Sequence, residues 1–108
     1  MNIIKCTSTH NTTAKVNRKI EWIVLHYTAG TTSKSGKALD VAKMFARSTR
    51  EASSDFVVDD ASIVQYNRNI ANRYCWSVGG SKYAYMTTSE GGKYYGKCKN
   101  NNSISIET

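Results

Sequence analysis

Residues 20–27, IEWIVLHY, form a near-continuous apolar and aromatic run rich in β-branched side chains. Such a run predicts a strand covered on both faces, as in the middle of an α/β sheet. The next stretch, TAGTTSKSG, is a loop of small and hydroxyl residues with several candidate helix caps. In KALDVAKMFARSTRE, Ala38, Val41, Ala42 and Phe45 recur at i, i+3, i+4 and i+7 with lysines and arginines between them. That spacing predicts an amphipathic helix over about 35–50, packing one stripe on the sheet.

SDFVVDDASIVQYN reads as two short strands around DDAS, where Asp and Ser favour a turn, so a β-hairpin is expected. From NIANRYCWSVGG to SKYAYMTTSEGGKYYGKCKNNN the periodicity is lost and Gly, Ser, Lys, Tyr and Asn dominate. A long surface loop is expected there, and a loop of that length in a compact domain is usually functional. NSISIET then alternates Ile104 and Ile106 with Ser103, Ser105 and Glu107, a strand pattern that closes at Thr108. There is no internal repeat and no low-complexity segment. The elements together predict an α/β fold, a central mixed β-sheet flanked by helices.

Composition narrows the setting. A chain of 108 residues suits one modest domain, and an apolar fraction of 40% argues for a folded core. Fifteen Lys and Arg against eight Asp and Glu give a formal charge of +7, which favours anionic surroundings: nucleic acid, anionic lipid or cell-wall polymer. Cys6, Cys75 and Cys98 are odd in number and contain no Cys-x-x-Cys pair, so free thiols are expected rather than a disulfide framework or a zinc ribbon. MNIIKCTSTHNTT lacks the apolar core of a signal peptide, and no run approaches the ~20 apolar residues of a membrane span.

Two residues are candidates for chemistry. His26 ends its strand before a small-residue loop; it is either a satisfied structural imidazole or a ligand, and the carboxyl ends of strands in open α/β sheets are where functional crevices lie. Glu107 ends the last strand; it is either a solvated terminal carboxylate or a general base that could take a proton from an attacking water. His10, Cys75 and Cys98 are chemically able metal ligands, but His10 sits in a polar segment and the cysteines lie in or beside the long loop. The tyrosines and lysines of that loop would suit single-stranded nucleic acid, glycan contact or plain solvation. With no RRM, KH or OB pattern, nucleic acid is not an expected partner.

IVLHYTAG, ASSDFVVDDASIVQYN, YCWSVGG and NNNSISIE, in this order and at these separations, resemble the zinc-dependent N-acetylmuramoyl-L-alanine amidases of the phage endolysin, autolysin and peptidoglycan recognition protein superfamily. The resemblance runs from about Ile20 to Glu107. It implies a single amidase-like catalytic domain over 1–108, with His26 as first zinc ligand and Glu107 as the carboxylate that activates water. It further implies substrate contact by Tyr27, Thr28, Trp76, Ser77 and Gly79. The reaction implied is hydrolysis of the amide between N-acetylmuramic acid and the L-alanine of the stem peptide, with peptidoglycan as partner and zinc as cofactor.

Departures qualify the resemblance. Many members have Trp-His-x-Gly where this chain has Trp76-Ser77-Val78-Gly79, and Ser54 and Asp55 stand where some relatives carry a tyrosine. Ser105 replaces the usual glycine of the last strand. Members continue past that strand to a second zinc histidine and a third ligand, so the resemblance implies a domain cut short at its C-terminal part, with one sheet face partly uncovered. A non-catalytic peptidoglycan-binding module, a fragment active only with a partner chain, and a homodimer through the uncovered sheet therefore stand as alternatives. The localisation implied is that of an endolysin: cytoplasmic until release to the wall, or extracellular by a non-classical route.

Overall fold

The computed structural model describes residues 2–27, 36–78 and 97–108. Its strands are β1 (Ile3–Lys5), β2 (Thr12–Ala14), β3 (Trp22–His26), β4 (Phe56–Val58), β5 (Ile63–Gln65), β6 (Arg73–Cys75) and β7 (Ser103–Glu107), with helix α1 (Lys37–Arg47) between β3 and β4. Five strands form one sheet in the order β1-β5-β4-β7-β3, and β2 pairs with β6 in a separate antiparallel ribbon. In the large sheet β4 and β5 are antiparallel while β1–β5, β4–β7 and β7–β3 are parallel, so the sheet is mixed as expected.

The predicted hairpin is present. Its turn is built by Asp59, whose Oδ1 accepts from the amides of Ala61 and Ser62 at 2.9 and 2.7 Å. The other oxygen, Oδ2, accepts from the Ala38 amide at 3.0 Å and thereby caps α1. The residue before the helix, Gly36, supplies no side chain for that task and adopts φ 86°, a left-handed conformation open to glycine at little cost. One carboxylate thus fixes a turn and a helix start together.

Helix α1 buries Ala38, Ala42 and Phe45 over β4 and β5, and Phe45 meets Tyr66 edge to face with ring centroids 5.4 Å apart. Val57, Val64, Tyr66 and Cys75 complete the core. Val41, on the predicted stripe, is only partly buried because it faces the cavity described below. The helix is shorter than the predicted 35–50: Ser48 turns to extended backbone, and its hydroxyl accepts from the Arg50 amide at 3.0 Å. A local side-chain acceptor competing with the helical ladder accounts for the early stop.

Two expectations need correction. Strand β3 is the end strand of the sheet among the described residues, and Ile23 and Leu25 on one of its faces are 69% and 70% exposed. An apolar run reports a capacity for burial, not the presence of a covering layer. Part of the predicted loop is strand β6, and the polar N-terminal segment contains β2; each is three residues long and pairs with the other in register Thr13↔Tyr74. Such short polar strands leave no period to read. Residues 79–96 of the predicted loop lie outside the described residues.

A buried polar cluster joins β4 to β7. Asp55 accepts from the Ser105 amide at 2.8 Å and from the Ser105 hydroxyl at 3.1 Å, while its other oxygen accepts from Asn67 Nδ2 at 2.7 Å. Arg18 completes the charge balance, with Nη2 3.5 Å from Asp55 and Nη1 donating to the Ser103 carbonyl at 2.7 Å. These groups are almost wholly buried, so their mutual pairing is what makes their burial tolerable.

Candidate active site

Strands β3 and β7 run parallel in a register that sets His26 opposite Glu107 at their carboxyl ends. The two side chains predicted as ligand and base therefore come from neighbouring strands and line one cavity of about 580 Å³. Thr108 secures the pairing, its amide and hydroxyl both donating to the His26 carbonyl at 2.9 and 3.0 Å. Helix α1 forms a second wall with Val41, Met44 and Phe45, and the segment after it contributes Ser48, Arg50 and Ser53.

His26 is half-buried, and its Nε2 is shielded from solvent with no hydrogen-bond partner among the described residues. An unpartnered buried imidazole nitrogen is costly unless something occupies it. Burial pushes the Glu107 carboxyl above its ordinary range, and the positive charge available from His26 and Arg50 partly opposes the rise. A carboxyl raised in this way holds a proton more readily than an exposed one, which suits a group that must take up a proton and give it back.

Of the predicted substrate contacts, Tyr27, Trp76 and Ser77 line the cavity. Tyr27 is 80% exposed at its mouth. Trp76 is held by donation from its ring nitrogen to Thr13 at 2.8 Å, and the Ser77 amide donates to Asn100 Oδ1 at 3.0 Å. Thr28 and Gly79 lie outside the described residues.

The alternative ligands are placed elsewhere. His10 is exposed and its Nε2 lies 2.7 Å from the Ser48 carbonyl, so that nitrogen already has a partner. Cys75 packs in the core, where burial pushes its thiol far up, and all three cysteines are free. Among the described residues no group of three His, Cys, Asp or Glu converges as a metal site would require.

The sequence reading did not single out Met44, Ser48, Arg50 or Ser53 as site residues. None carries a local signal: Arg50 follows a basic helix and looks like one more solvated cation. Only the return of its segment over the ends of β3 and β7 brings it to the cavity.

Residues 16–108 match the N-acetylmuramoyl-L-alanine amidase family. The chain belongs to that family. Its fold is shared with the catalytic domain of XlyA at 25% identity and a TM-score of 0.65, covering 99% of this chain and 60% of that one. A mutant endolysin from Bacillus subtilis is 26% identical with a TM-score of 0.61, covering 98% of this chain and 59% of that one. The PlyG catalytic domain, 23% identical with a TM-score of 0.63 over 99% of this chain and 55% of that one, is similar in fold. This amidase-family chain thus spans about three fifths of the length of the solved domains it resembles. No curated protein matches it.

Proposed function

We propose that the chain is part of a peptidoglycan amidase that hydrolyses the bond between N-acetylmuramic acid and the L-alanine of the stem peptide. The observation that carries this reading is the register pair His26 and Glu107 at one cavity, with His26 Nε2 buried and without a hydrogen-bond partner among the described residues. In it, Glu107 takes a proton from the attacking water and returns it to the departing amine of L-alanine, for which a raised carboxyl is suited. Tyr27, Trp76 and Ser77 contact glycan and peptide from the cavity wall.

The family resemblance implies zinc. His26 Nε2 fits one ligand of such a site, but the described residues do not supply the three that a catalytic zinc needs. When bound with a full ligand set, zinc would act as Lewis acid toward the scissile carbonyl.

Among the described residues no three metal-ligating side chains converge, and a second reading, a module that binds peptidoglycan without cleaving it, needs none. Incubating the zinc-supplemented protein with purified cell wall separates the two. New L-alanine amino termini support the amidase; wall binding without them, with or without chelator, supports the module. Neither binding nor release would overturn both.

A further inference from the structure

Arg50 is the one lysine or arginine among the described residues lining the cavity, and it shares that lining with His26 and Glu107. Its guanidinium is exposed and makes no hydrogen bond or ion pair with the described residues. Its backbone, by contrast, is held at both ends. The amide donates to Ser48 Oγ at 3.0 Å, and the carbonyl accepts from Asn11 Nδ2 at 2.8 Å and from the Ala52 amide at 2.9 Å. Asn11 is buried, adopts φ 58°, a conformation asparagine tolerates better than most residues, and also donates to the Ala52 carbonyl at 3.2 Å. His10 adds a contact to the Ser48 carbonyl at 2.7 Å. An arginine with a fixed backbone, near enough to Glu107 to favour its charged form yet making no hydrogen bond or ion pair with the described residues, can still take an anion brought by a ligand.

The ligand's chemistry then follows from the proposed function, on which this inference rests. Glu107 contributes negative charge to the cavity when ionised, so an anionic substrate needs a compensating cation nearby. In a peptidoglycan stem, the residue after L-alanine is a γ-linked D-glutamate whose α-carboxylate is either free or amidated. We infer that Arg50 is a specificity-determining residue that pairs with this free α-carboxylate and makes the site prefer unamidated over amidated stem peptides. A planar guanidinium matches a carboxylate with two parallel hydrogen bonds, whereas a carboxamide offers only one acceptor oxygen and no charge.

The test is calorimetric titration of the protein with N-acetylmuramoyl-L-alanyl-γ-D-glutamyl-L-lysine and with the same tripeptide amidated at the glutamyl α-carboxylate. The expected preference for the free carboxylate is roughly five- to tenfold, between an exposed ion pair and a charge-assisted bond in a cavity. In Arg50→Gln the ratio should fall to about one, and Arg50→Lys should lie between, since lysine keeps the charge without the fork. Circular dichroism checks that both variants remain folded, as expected for a change at an exposed side chain. Equal binding of the two peptides by the unaltered protein, or a preference that survives in Arg50→Gln, would overturn the role of Arg50 while leaving the peptidoglycan reading intact. Binding of neither peptide would overturn that reading and this inference with it.

Discussion

Asp55, at the entrance to β4, grips both the amide and the hydroxyl of Ser105 in β7, two residues before Glu107. A carboxylate outside the cavity thereby fixes the strand that delivers the proposed base. Removing it would leave Arg18 buried without its counter-charge. Asp55→Ala should cost about 3–5 kcal/mol, the range for breaking a buried pair. Urea unfolding measures this, and a loss below about 1 kcal/mol would show that the cluster relaxes around the gap.

Asp59 provides a pH signature. Its slight burial tends to raise its pKa, but the amides of Ala61, Ala38, Ser62 and Gly36 outweigh that and hold it below the ordinary carboxylate value. A depressed folded pKa means that the stabilisation is fully present above the unfolded carboxylate pKa and disappears as pH falls through the folded one. Asp59→Ala should therefore lower stability by about 1 kcal/mol at neutral pH, as for loss of a helix cap. The gap to the unaltered protein should close in acid. Thermal melts across pH report both, and a gap that stays constant would argue against the carboxylate cap.

Glu107 separates stability from activity. Its burial disfavours the charged form, so Glu107→Gln should leave the melting temperature unchanged or raise it. Release of L-alanine termini from cell wall should fall by about 10²–10⁴, the usual contribution of a general acid–base. A variant that cleaves as fast as its parent would remove Glu107 from the chemistry.

The exposed face of β3 yields a further stability measurement. Ile23→Thr and Leu25→Thr alter side chains that are mostly in solvent, so each should change stability by less than about 0.5 kcal/mol. A cost above about 1.5 kcal/mol for either would reveal a layer covering that face, and sedimentation velocity would show whether a second copy supplies it.

The sequence by itself determined the elements whose order is local. The i, i+3, i+4, i+7 spacing of Ala38, Val41, Ala42 and Phe45 marked α1, the DDAS turn between apolar runs marked the hairpin, and the alternation around Ile104 and Ile106 marked β7. It also placed an imidazole and a carboxylate at strand ends, because side-chain type and position in a run can be read one residue at a time. Only the tertiary structure decided what those residues meet. It set His26 opposite Glu107, paired β2 with β6, buried Arg18 against Asp55, left Ile23 and Leu25 exposed and brought Arg50 to the cavity. Periodicity records which side chains share a face of their own element. Strand register, edge position and a buried charge pair depend on partners distant in the chain, and these are selected by the packing of the whole domain.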